Sequence, residues 1–123
     1  MTFVSDHRRI DERSLAMHRV IADKIRRDPA LLEIAHDNLR RWEGVVPNAA
    51  PYLRRWKQLL ELPLEELLSR MVEESEDMTA MRQAGPFAGV LTPKERWAIY
   101  DAFAPAVYYA SKQSRGPAEP VLP

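Results

Sequence analysis

The stretch DERSLAMHRVIADKIRRDPALLEIAHDNLRRWEG, residues 11–44, decides the fold class. Leu15, Met17, His18, Ile21, Ala22 and Ile25 fall on one broad side of a helical wheel, with Glu12, Arg19, Asp23 and Arg26 on the other. That spacing predicts an amphipathic helix over 11–27. Asp28-Pro29 restarts the chain, because Asp is a good N-cap and Pro suits the first helical position, where no amide bond is lost. A second helix over about 29–43 turns Leu31, Ile34, Ala35, Leu39 and Trp42 inward and stops near Gly44.

The same logic extends toward the C-terminus. After the loop VVPNAAP, a third helix over about 51–61 carries Tyr52, Leu53, Trp56, Leu59 and Leu60 on one stripe. Pro63 opens a fourth, with Leu64, Leu67, Leu68, Met71 and Val72 inward and most glutamates outward. Met78 and Met81 continue the apolar signal on a short helix beginning near Ser75. Thr92-Pro93-Lys94-Glu95 is a capping box with Pro at its first helical position, and it opens a helix bearing Trp97, Ile99, Tyr100 and Phe103 until Pro105. Trp97 and Tyr100 are expected to close the core. AVYYA (106–110) can add a short helical turn, and 111–123, with its Pro, Gly and Ser, is expected to be a disordered tail. Only 87–91 hints weakly at a strand. The expectation is an all-α protein, an irregular bundle of about five helices in a single domain over 1–110.

Composition narrows the function classes. The chain has 123 residues, 46% apolar and 29% charged, enough for a modest core. It has no cysteine, which excludes disulfides, thiolate metal sites and a cysteine nucleophile. No apolar run approaches a membrane span and the first residues lack a signal core, so a cytoplasmic protein without membrane contact is expected. Net charge is zero but polarised: residues 1–57 hold 12 Lys/Arg against 8 Asp/Glu, and 58–123 hold 6 against 10. Such polarity can steer a complementary partner, although solvated helix faces account for any single cluster.

Chemistry-bearing constellations are sparse. His18 lies on the apolar face of the first helix, where a hydrogen-bonded core histidine is the usual reading. His36 lies on a polar edge, and His7 with Asp11 lacks the further ligands a metal needs. No G-x-S-x-G, P-loop or H-E-x-x-H occurs, and the adjacent pairs Glu65/Glu66 and Glu73/Glu74 diverge on a helix instead of forming a dyad. Neither enzyme activity nor a cofactor is expected. Nucleic-acid binding is the alternative: Arg40, Arg41, Arg54, Arg55 and Lys57 form a basic patch if the first helices pack together. Against it, the link between the second and third helices is long for a helix-turn-helix, and net charge is zero. Trp42, Trp56 and Trp97 default to core packing, whereas an exposed one would anchor a partner.

Three segments, RSLAMHRVIADKIRRDPALLEIAHDNLRRW (13–42), LRRWKQLLELPLEELLSRMVEES (53–75) and MRQAGPFAGVLTPKERWAIY (81–100), together resemble a group of small bacterial proteins encoded beside genes for nucleotidyltransferase-fold proteins. The resemblance implies an antitoxin-like protein that works by binding the product of the neighbouring gene. It brings no catalytic motif. On that reading the acidic span 63–77 mimics the charge of a nucleic-acid substrate, through Glu65, Glu66, Glu73 and Asp77. PFAGVL (86–91) is the other docking candidate. Pro86 and Gly89 set a compact turn whose Phe87, Val90 and Leu91 need burial, by default against the third and fourth helices as a structural corner; Phe87 or Leu91 in the open would instead mark the docking point.

Overall fold

A computed structural model describes residues 4–45 and 50–103. Those residues form six α-helices, α1 (Val4–Arg27), α2 (Leu32–Trp42), α3 (Ala50–Leu59), α4 (Leu64–Met71), α5 (Glu76–Arg82) and α6 (Pro93–Ala102). A 3₁₀ turn, Pro29–Leu31, leads into α2, and no strand occurs among the described residues. The protein is all-α, as its apolar periodicity demands. The expected helical turn at 106–110, the stop at Pro105 and the tail over 111–123 lie outside the described residues. The chain divides after Val90 into two compact units, Met1–Val90 and Leu91–Pro123.

In the first unit, α1 packs on α4 and α5, α2 on α3, and α4 on α5. α1 begins at Val4, seven residues before the amphipathic signal. Its buried stripe is His18, Ile21, Ala22 and Ile25, at the i, i+3, i+4, i+7 spacing of one helix face. Leu67, Leu68, Met71, Met78 and Met81 from α4 and α5 are almost wholly enclosed. Leu53, Trp56, Leu59 and Leu60 supply the third helix's share, whereas Tyr52, expected on the same stripe, is exposed.

Helix ends follow their local chemistry with one exception. Gly44 at φ 84° ends the α2 region in the left-handed conformation that glycine adopts without a Cβ clash. Ser75 caps α5 by accepting from the Met78 amide at 3.1 Å. Asp28 is the exception: it makes no side-chain capping bond, and Pro29 starts a 3₁₀ turn instead of the α-helix itself. In that tighter turn the Leu31 amide is satisfied by the Asp28 carbonyl at 3.0 Å.

The second unit contains α6, whose capping box is complete. Thr92 accepts from the Glu95 amide at 3.1 Å and Glu95 returns the bond to the Thr92 amide at 2.7 Å. Leu91 and Ile99 are buried.

Candidate functional site

The first unit's centre is an aromatic cluster. Trp56 is fully buried, with Phe87 edge-on at 5.3 Å and His18 stacked at 6.5 Å between ring centroids. The Trp56 indole N–H donates to the Met81 carbonyl at 2.8 Å, so the buried ring has no unmet donor. His18 Nδ1 lies 2.8 Å from the Ser14 carbonyl. A carbonyl only accepts, so Nδ1 carries the proton and Nε2 is the bare acceptor, without a hydrogen bond among the described residues. Burial pushes the His18 pKa down to about 4, against the opposing Ser14 bond and with help from the Arg82 charge. The neutral imidazole is enclosed by Trp56 and Phe87 and packs in the core. His7 is exposed, and among the described residues no set of three or more His, Asp or Glu side chains converges as metal ligands.

The segment containing PFAGVL is a structural corner. Val90 N–H donates to the Phe87 carbonyl at 3.1 Å, and Gly89, at φ 98°, supplies the left-handed residue of that turn. Two side chains pin it from outside. Asn38 Nδ2 donates to the Pro86 and Ala88 carbonyls, at 2.8 and 2.9 Å, and Lys24 Nζ to the Val90 carbonyl at 2.8 Å. Phe87 is 4% exposed and Leu91 3% exposed, which removes both from the docking candidates. The physical reason is that Phe87 fills the space against Trp56 and His18.

The acidic span is not a bare anionic face either. Glu65 receives both Nε and Nη2 of Arg26 at 3.1 Å, Asp77 is gripped by Arg55, and Glu73 lies 3.1 Å from Arg70. Glu74 pairs with Arg19 at 3.1 Å. The hydrogen bonds from Arg26 and Arg55 hold the Glu65 and Asp77 carboxyls below their ordinary pKa values. Glu66 meets no cation among the described residues. The polarity along the sequence is thus largely folded against itself, with arginines of α1 and α3 meeting acids of the later half.

The same pairing dismantles much of the basic patch. Arg55 is committed to Asp77, Arg40 to Asp37, Arg41 Nη2 to the Asn38 side-chain oxygen at 2.6 Å, and Lys57 lies 3.5 Å from Glu43. Arg54 is exposed and unpaired among the described residues. It borders a groove with Leu39, Trp42 and Leu53 on the α2–α3 side of the unit.

Trp97, like Tyr52, is an exposed aromatic. It was expected to close the core, yet it is 41% exposed on α6, with the Tyr100 ring edge-on at 5.6 Å. The cause lies in the helix itself: Trp97, Ala98, Ile99, Tyr100 and Ala102 are distributed all round it, so burying Ile99 leaves Trp97 on the opposite side. Two residues escaped sequence reasoning. Asn38 is 3% exposed, and its signal was available, a lone amide three residues after Ala35 and four before Trp42 on an apolar stripe. Arg82 is 5% exposed and donates through Nη1 to the Met71 and Glu73 carbonyls, at 3.0 and 2.9 Å, satisfying the end of α4. No periodicity marks that role. No protein family matches the chain, and no curated protein or solved structure is significantly similar to it.

Proposed function

We propose that the protein acts without catalysis, as an antitoxin-like partner that binds a nucleotidyltransferase-fold protein directly. The observation that supports a binding role is Trp97, a large indole left in solvent beside Tyr100 on a well-capped helix. Aromatic side chains on rigid elements carry a disproportionate share of interface energy, and an exposed tryptophan costs hydration free energy until something covers it. The identity of the partner rests on the resemblance of residues 13–42, 53–75 and 81–100.

The internal ion pairs revise the mechanism. Glu65, Glu73 and Asp77 already answer arginines of this chain, so α6 anchors the complex and unpaired acids such as Glu66 contribute steering alone. The alternative, a nucleic-acid-binding regulator, is the weaker reading because four of its five basic residues have intramolecular acceptors.

Co-expression with the product of the neighbouring gene tests the proposal. A stable complex and relief of that product's toxicity are expected, and both should be lost with Trp97→Ala while helicity is retained. Wild-type protein giving neither complex nor relief sinks the proposal. A salt-sensitive gel shift with DNA or RNA, in the absence of any protein complex, would move the assignment to the alternative.

A further inference from the structure

We infer that the groove between the end of α2 and the outer face of α3 is a binding site for a medium-chain acyl anion, an unbranched hydrocarbon chain with a carboxylate or phosphate head. The groove has a volume of about 720 Å³, within the range of small-molecule sites. Its floor is apolar: Leu39 and Leu53 are buried, and Trp42 and Ala50 are half-buried. On α3 the lining residues are Ala50, Leu53, Arg54, Lys57 and Gln58, one continuous helical stripe about 12 Å long. Among the described residues every polar side chain of the groove is exposed at its rim, and none is buried in its floor. Such a floor has no group with which to read the edge of a base or the hydroxyls of a sugar, whereas an elongated apolar strip suits a hydrocarbon chain.

The rim supplies the donors that choose an anionic head. Neither the Arg54 guanidinium nor the Trp42 indole N–H has a hydrogen-bond partner among the described residues. Lys57, one turn beyond Arg54, is held by Glu43 at 3.5 Å, with both side chains 62% exposed. An exposed pair of this kind contributes little, so Lys57 is able to turn toward an anion beside Arg54. Two cations one helical turn apart are close enough to share one head group. The opposing charge is Glu61, which meets no cation among the described residues and stands about two turns further along the chain. The head therefore sits by Arg54, away from Glu61, with its chain laid on Leu39, Trp42 and Leu53.

The site stands independently of the antitoxin-like reading and uses no residue of α6. The full chain alone is the sample for the test. Decanoate, decyl phosphate and decyltrimethylammonium, three heads on one chain length, are titrated into isotope-labelled protein and followed by amide and indole chemical shifts. Saturable shifts are expected at Leu39, Leu53, Arg54 and the Trp42 indole N–H, with a Kd on the order of 1 mM for the anions. The lower Kd of the two anions assigns the head as carboxylate or phosphate. The cationic chain should bind at least about tenfold more weakly. Arg54→Glu should weaken decanoate about tenfold, Glu61→Gln should tighten it about twofold, and Arg27→Glu, the same charge change on exposed α1, should leave it unaltered. All three positions are exposed, and retained shift dispersion shows that the fold persists. Equal binding of anionic and cationic chains, shifts centred away from the groove, no saturation, or an Arg54→Glu variant that binds decanoate like the wild type overturns the inference.

Discussion

Asn38 and Pro86 are joined by a buried hydrogen bond of 2.8 Å, and the same Asn38 amide reaches the Ala88 carbonyl at 2.9 Å. One side chain of α2 thereby satisfies two carbonyls of a loop 48 and 50 residues away along the chain. A loop entering the interior brings peptide groups that must find partners, and here the partner is supplied by an amide placed among apolar neighbours.

Asn38→Ala should destabilise the protein by about 2–3 kcal/mol, because the two carbonyls lose their donors while staying largely out of water. Asn38→Asp should be worse, since a carboxylate offers acceptors to acceptors. Urea unfolding at pH 7 provides the measurement, and an alanine variant within about 0.5 kcal/mol of wild type would show that water replaces the amide.

Acid should weaken the fold through His18 before it acts on the carboxylates. Its folded pKa is about 4 and its ordinary value 6.5, so between those limits the unfolded chain binds the extra proton. Stability then rises with pH from about 4 to 6.5 and is flat above, and it should be about 2 kcal/mol lower at pH 5 than at pH 7. His18→Phe should abolish that slope. Below about pH 4.5 the lowered pKa values of Glu65 and Asp77 add a loss of their own as these acids protonate. Unfolding curves at about pH 3.5, 5, 6 and 7 separate the two regimes.

Gly89→Ala should cost about 1–2 kcal/mol. The residue sits at φ 98°, where a Cβ strains the backbone, although the added methyl would meet only Ile34 at an ordinary 3.5 Å. The penalty is conformational, so Gly89→Asn should recover part of it, and thermal melts of the two variants make the comparison.

Thr92→Ala should lower stability by about 1 kcal/mol by removing the acceptor for the Glu95 amide at the start of α6. Thr92→Ser should be nearly neutral because it keeps the hydroxyl. Far-UV circular dichroism through denaturation follows both. Equal losses for serine and alanine would assign the effect to the methyl group.

Much of this molecule is written in one dimension. The capping box at Thr92, the restart at Asp28-Pro29, the short helix from Ser75 and the stripes through Ile21, Leu67 and Met78 are local or periodic features, set by bonds within a few residues or by which side of a helix is apolar. The reading of His18 as a hydrogen-bonded core histidine belongs with them, since the partner of its Nδ1, Ser14, lies one turn back on the same helix.

What depended on distant residues meeting was decided only by the tertiary structure. The acidic and basic stretches looked like two surfaces, but Arg26–Glu65, Arg19–Glu74 and Arg55–Asp77 join them across 22 to 55 residues. Phe87 stood open between core and docking surface until Trp56 and His18 closed around it. Trp97 looked like core, yet with apolar residues on every side of α6 the pattern could not state which face would be buried. Periodicity fixes which side of a helix turns inward only when one side alone is apolar. Where charges cancel across the fold, or a helix is apolar all round, the choice passes to the packing.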